Sequence, residues 1–162
     1  MSTVKPTSTK ATAGRSPRRR AREFALQGLY QWQLAGNDEA AIEAHLIDCE
    51  GFDQADRDFF VGLLRGVLAQ RSLLQEQLQT FLDRPFHELS PVEACVLLGG
   101  AFELRNYPQT PYRVIINESI ELAKSFGGTD GHKYVNGVLD KLAAQLRPME
   151  VAAKRQSRQR TR

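Results

Sequence analysis

Cysteine is scarce in this chain of 162 residues, which contains only Cys49 and Cys95. The two lie far apart within helical patterns, so we expect buried, reduced thiols and no disulfide. Long apolar runs are missing as well, because none approaches the roughly 18 residues that a membrane-spanning helix requires. The basic N-terminus has neither the apolar stretch nor the cleavage site of a secretory signal. These shortages predict a cytoplasmic protein.

Residues that commonly build catalytic or metal sites are also sparse. The cysteines form no CxxC pair, and the histidines are scattered without metal-ligand spacing; they are His45, His87 and His132. A glycine-rich loop of the P-loop or dinucleotide-binding type is absent. Glu118 and Glu121 lie one helical turn apart, a spacing typical of a solvated helix face. We therefore expect no enzymatic activity, no metal and no cofactor.

Charge is distributed unevenly along the chain. Residues 1–22 contain seven Lys or Arg and no acid, and residues 151–162 contain five and no acid. The two ends thus carry a formal charge of +12, and the body between them carries −9. Such asymmetry predicts a polyanion bound by the ends and a basic protein bound by the body. The alternative is that the ends are only solubilising tails.

Helical periodicity runs through the chain, and the two-residue alternation of β-strands is absent. Start signals at Ser16-Pro17, Ser90-Pro91 and Thr110-Pro111 pair an N-cap with proline at the first helical position. We predict about seven helices, at 16–36, 39–50, 53–84 (one helix or two, with a break near 70–72), 90–104, 110–126 and 132–146. The predicted class is all-α, with two helical lobes in residues 16–148 that meet near 84–89, and disordered basic segments at 1–15 and 149–162.

An arginine cluster opens the first predicted helix, at Arg18, Arg19, Arg20 and Arg22. These guanidinium groups repel one another and lie at the positive end of the helix dipole. A phosphate chain across this helix end would turn both penalties into attraction. Tyr30 lies only about 20° from Arg19 on the helical wheel, where it would suit base stacking. The alternative for Tyr30 is a partly buried packing residue.

A second candidate patch surrounds the turn at residues 127–131, where one helix ends and the next begins. Lys124, Lys133 and Tyr134 flank this turn, and Asp130 is expected to cap the following helix. Exposed backbone N–H groups and two lysines there would suit phosphate.

Three segments closely resemble the NusB family of bacterial transcription antitermination factors: residues 18–32 (RRRAREFALQGLYQW), 116–127 (INESIELAKSFG) and 132–141 (HKYVNGVLDK). The resemblance runs from about residue 16 to 148. It implies two helical bundles, no catalysis, and binding to the boxA segment of ribosomal RNA leader transcripts. It also implies a heterodimer with NusE, a ribosomal protein of the small subunit, within an RNA polymerase complex that contains other Nus factors.

The resemblance also implies which residues would make these contacts. The RNA-binding residues would be Arg18, Arg19, Arg20, Arg22, Tyr30, Asp130, Lys133 and Tyr134. Tyr134 departs from the phenylalanine that is common in the family but keeps a ring that can stack. The NusE-facing residues would be Phe81, Glu88 and Glu93. Glu93 also occupies the third position of the predicted capping box with Ser90.

Two other functions fit parts of this pattern. A similar helical domain precedes the catalytic domain in a family of ribosomal RNA cytosine methyltransferases, but such an enzyme would need a glycine-rich α/β domain after Pro148, where we expect only a basic tail. A pure protein adaptor would use the acidic body for its partner, and its basic ends would merely solubilise it.

Overall fold

The computed structural model describes residues 15–36 and 38–160, with only the backbone of Arg160. In that part of the chain all regular structure is helical, which confirms the predicted class. The helices are α1 (Pro17–Ala35), α2 (Glu39–Ile47), α3 (Arg57–Gln79), α4 (Pro91–Asn106), α5 (Tyr112–Phe126), α6 (Gly131–Leu146) and α7 (Pro148–Arg160). Short 3-10 turns at Phe52–Gln54 and Phe86–Glu88 precede α3 and α4. The predicted disordered segment at 1–15 lies outside the described residues, apart from Arg15.

The predicted start signals are present where α1 and α4 begin. The Ser16 hydroxyl accepts a hydrogen bond from the Arg19 N–H (3.1 Å), and the Ser90 hydroxyl accepts one from the Glu93 N–H (3.2 Å). Gly36 ends α1 in the left-handed conformation, with φ of 61°. Local hydrogen bonds readable from sequence therefore set these helix ends.

Two helices differ from their predicted bounds. The second helix was predicted to reach residue 50, but α2 ends at Ile47. The third begins at Arg57 because the Asp56 carboxylate caps it, accepting a hydrogen bond from the Phe59 N–H (3.1 Å). It then runs without a break to Gln79, so of the two alternatives the single helix is correct, although it stops short of residue 84.

The largest difference concerns residues 149–160, where a disordered tail was predicted and the structure has α7. Pro148 stands at the first position of this helix, where its missing N–H costs nothing. Val151 is buried, and the Glu150 carboxylate accepts a hydrogen bond from the backbone N–H of Tyr112 (2.8 Å). Two anchoring residues near its start thus hold the helix against the body.

Helix α1 packs against both α3 and α4, and so joins the two halves of the chain. The buried side chains form one continuous core to which both halves contribute; among its fully buried members are Phe60, Leu64, Leu97, Ile115 and Leu139. The division into two lobes stays a prediction. Among the described helices, none is both long and apolar enough to cross a bilayer.

The close approach of α3 to α4 depends on Gly66. A Cβ atom there would lie 2.1 Å from Cζ of Phe102, whereas one at Gly99 on α4 would meet nothing within 4 Å. We expect Gly66→Ala to lower the free energy of unfolding by about 1–3 kcal/mol through overpacking. Gly99→Ala should raise it by about 0.5–1 kcal/mol, because alanine favours the helix. Urea denaturation measures both, and equal stability of the two variants would contradict this packing.

Candidate nucleic-acid interface

Arg22 lies in the interior between α1 and α4. Its Nε and Nη2 atoms each donate a 2.8 Å hydrogen bond to the Glu103 carboxylate. Only 6% of Arg22 and 3% of Glu103 is exposed. The guanidinium also lies 4.9 Å from the ring centroid of Phe59. Glu103, and not a phosphate, therefore neutralises Arg22 in the free protein.

Arg19 is held by a carboxylate on α5. Its Nε and Nη2 atoms donate to Oε1 (2.9 Å) and Oε2 (2.8 Å) of Glu118. The hydrogen bonds from Arg19 hold the pKa of Glu118 below its ordinary value, against the opposing effect of burial. The prediction that Glu118 belongs to a solvated face is wrong, because Arg19 covers it. Arg19 itself remains about one-third exposed.

The other two arginines of the cluster differ in exposure. Arg18 is exposed, and its guanidinium lies 4.0 Å from the ring centroid of Phe59. Arg20 is only 8% exposed. Neither forms an ion pair with a carboxylate of the described part of the chain. The structure thus leaves Arg18 and Arg19 accessible at the start of α1 and encloses Arg20 and Arg22.

A groove of about 300 Å³ separates α1 from α5. Arg15 and Arg19 form one side of it, and Arg15, which precedes α1, is ion-paired with Glu23 of that helix. The groove ends at Phe126, the last residue of α5, whose side chain is 42% exposed. The sequence analysis missed Phe126. A large apolar residue directly before two glycines at a helix end could have indicated an exposed ring at this position.

The second predicted patch begins four residues beyond Phe126. Asp130 and Lys133 are exposed and form an ion pair of 3.5 Å. Asp130 makes no side-chain hydrogen bond to the N-terminus of α6, contrary to its predicted capping role. The exposed end of the α1–α5 groove and this patch are therefore close along the chain.

Tyr134 is partly buried and linked to the turn after α3. Its hydroxyl donates to the Asp83 carboxylate (2.9 Å) and accepts from the Asp83 N–H (3.2 Å). The Arg84 guanidinium lies 5.2 Å from its ring centroid. Hydrogen bonds from Arg84 and Tyr134 lower the pKa of Asp83. One face of the Tyr134 ring is thus occupied by an arginine of this chain.

Tyr30 is not grouped with Arg19. It lies about 16 Å further along α1, at a groove that α1 forms with α2. Its side chain is 38% exposed. The similar angle on the helical wheel does not bring the two residues together, because three turns of α1 separate them along the helix axis.

The predicted protein-contact residues lie between the end of α3 and the start of α4. Phe81 is partly buried against the core, and Glu88 is exposed. The Glu93 carboxylate lies against α6, where a Cβ at Gly131 would come within 2.7 Å of its Oε2. The pKa of Arg84 is raised mainly by its hydrogen bond to Asp83, and the negative charge of Glu93 adds a smaller contribution. Glu93 thus adjoins both predicted contact regions.

Comparison with known proteins settles which family has this arrangement. The model of the NusB family matches residues 19–144 of this chain. The chain belongs to the NusB family. A NusB transcription antitermination protein from Dechloromonas aromatica (strain RCB) is 67% identical over 144 residues, which are 89% of this chain and 88% of that protein. The curated relatives are transcription antitermination proteins, and this chain is a member of their family.

Solved NusB structures have the same fold. Thermotoga maritima NusB superposes with a TM-score of 0.72 at 28% identity, covering 79% of this chain and 91% of that one. A structure of the antitermination factors NusB and NusE in complex with double-stranded RNA gives 0.71 at 20% identity, covering 80% of this chain and 97% of that one.

Glu103 is the structural residue that the sequence analysis missed. It follows the apolar run of α4, and an acid buried there requires a buried cation. The need for a buried cation near Glu103 could therefore have been predicted from the sequence. Periodicity could not identify the partner, because Arg22 is 81 residues away in the chain.

Loss of the Glu103 charge should destabilise the protein. Glu103→Gln removes the nearer carboxylate of the buried Arg22 guanidinium and leaves only its longer pair with Glu118 (3.7 Å), and we expect the free energy of unfolding to fall by about 3 kcal/mol. Glu43→Gln, which breaks the surface pair with Arg65, is the matched control and should have little effect. Urea denaturation measures the free energy of unfolding of both variants. Equal decreases would show that the buried Arg22–Glu103 pair stabilises the fold no more than a surface pair does.

Proposed function

We propose that this NusB-family protein acts in the cytoplasm and binds single-stranded boxA RNA of ribosomal RNA leader transcripts as a heterodimer with NusE. The heterodimer would join RNA polymerase and other Nus factors in a termination-resistant complex. The observation that carries the proposal is the accessible cationic edge of α1. There Arg19 lines a groove that reaches the exposed ring of Phe126, and the adjacent Arg18 lies exposed over the ring of Phe59.

The chemistry of this edge suits a single-stranded polyanion. Arg18 has no carboxylate partner among the described residues, so a phosphate can bind it without breaking an ion pair. Arg19 can exchange its Glu118 partner for a phosphate at low cost, because the pair is partly solvated. Phe126 offers an exposed ring for base stacking, and Lys133 adds a cation a few residues beyond it.

NusE would bind the acidic body near the turn between α3 and α4. A basic ribosomal protein is complementary to a body whose formal charge is −9. Phe81 would supply apolar contact area, and Glu88 an exposed charge. Because Glu93 contacts α6 at Gly131 and Arg84 lies over the Tyr134 ring, NusE bound there would adjoin the second RNA patch. The two proteins would then share one RNA segment and bind it more tightly together than either does alone.

The accessible arginine gives the first test of RNA binding. Arg18→Gln should weaken binding of single-stranded boxA and flatten the slope of log K against log salt by about 0.7, the contribution of one phosphate contact. Fluorescence anisotropy measures the slope, with and without NusE, and Arg65→Gln on α3 is the control for net charge.

The outcomes separate the alternatives. If the wild type binds NusE but has no boxA affinity in either condition, the protein is an adaptor. Tighter binding of a duplex than of the single strand would contradict the proposed form of the RNA. If Arg18→Gln leaves the slope unchanged, Arg18 makes no phosphate contact.

The competition between Glu118 and RNA for Arg19 gives a second test. Glu118→Gln weakens the hold on Arg19, so we expect boxA to bind up to about fivefold more tightly, the equivalent of about 1 kcal/mol. Glu121→Gln removes the same charge one turn away without releasing Arg19, and it should have a smaller effect. Equal effects in the two variants would mean that net charge alone is responsible.

A further inference from the structure

Helix α7 lies beyond residues 19–144, the part of the chain that the family model matches. Its start is fixed to the body by buried contacts. Arg147, just before the helix, is 9% exposed and donates hydrogen bonds to the backbone carbonyls of Leu104 (3.0 Å) and Tyr107 (2.7 Å). With Val151 also buried, α7 has a defined position where it leaves the body.

The remainder of α7 is a cationic surface. Residues 152–159 are all exposed, and residues 151–160 contain no acid. Lys154 and Arg155 follow Val151 by three and four positions, and Arg158 follows it by seven. All three basic residues therefore share the helix face of the buried valine. The positive stripe lies on the side by which the helix docks, and the one acid of the described helix, Glu150, is in its first turn, where it bonds Tyr112 and Arg147.

A short series of contacts connects the base of α7 with the RNA-binding edge of α1. Arg147 binds the backbone carbonyl of Tyr107, and the Tyr107 ring lies 5.4 Å from the Phe59 ring, edge to face. The Arg18 guanidinium also contacts Phe59, at 4.0 Å from its ring centroid. The basic helix thus leaves the body three contacts away from the most accessible arginine of the cluster.

We propose that α7 is a second phosphate-binding element, which binds the RNA backbone next to the segment held at Arg18. The inference rests on the proposed RNA-binding function and extends the RNA-contacting surface from α1 to α7. Lys154 and Arg155 bind phosphates without reading bases, since lysine and arginine on an open helix face supply charge and no pocket. At 1.5 Å per residue α7 is about 20 Å long, so it contacts nucleotides outside boxA.

The experiment compares two RNAs and three proteins by salt-dependent fluorescence anisotropy. One RNA is single-stranded boxA alone, and the other carries about ten further nucleotides at each end, enough to pass a helix of about 20 Å. The proteins are the full chain, Lys154→Gln/Arg155→Gln and Arg65→Gln. Glutamine keeps the helix propensity of α7, and circular dichroism checks that each variant is folded.

We expect the double variant to bind boxA alone like the wild type. On the extended RNA its salt slope should be flatter by about 1.4, the contribution of two phosphate contacts. Arg65→Gln should match the wild type on both RNAs. An unchanged slope for the double variant on the extended RNA would overturn the role of α7, while boxA binding by the wild type would leave the proposed function intact. Failure of the wild type to bind either RNA, both without and with NusE, would overturn both proposals.

Discussion

The fold depends on the buried ion pair between Arg22 of α1 and Glu103 of α4. Two hydrogen bonds of 2.8 Å join the side chains where α1 crosses from the first half of the chain to the second. Arg19 repeats the arrangement one turn earlier, with Glu118 of α5. The arginine-rich start of α1 is therefore first a structural device: its charges bind the second half of the molecule, which turns their mutual repulsion into interhelical attraction.

This use of the cluster also determines what remains for RNA. Arg20 and Arg22 are enclosed, Arg19 is shared with Glu118, and Arg18 stacks on Phe59 with its charge exposed. The proposed RNA-binding edge then runs from Arg18 and Arg19 along the α1–α5 groove toward Phe126 and Lys133. A rigid platform of this kind holds its cations in place before the ligand arrives, which reduces the entropy lost on binding.

Local signals in the sequence predicted much of the fold, because caps and stops act over three or four residues. Ser16, Gly36 and Ser90 behave as expected. The errors are tertiary: α7 is ordered by the Glu150 bond to α5 and by Val151, neither of which a composition of basic and small residues reveals. For the same reason the sequence located the arginines but not their partners Glu103 and Glu118, which lie 81 and 99 residues away.

The division between internal and accessible arginines is tested most directly by replacing the buried pair as a unit. Arg22→Met/Glu103→Leu leaves the net charge unchanged and fills the same space with apolar atoms, an exchange that folded proteins often tolerate. If Arg22 only stabilises the fold and contacts no phosphate, the folded variant will bind boxA RNA with the wild-type slope of log K against log salt. A slope flatter by about 0.7 would show that Arg22 binds a phosphate itself and would contradict this account.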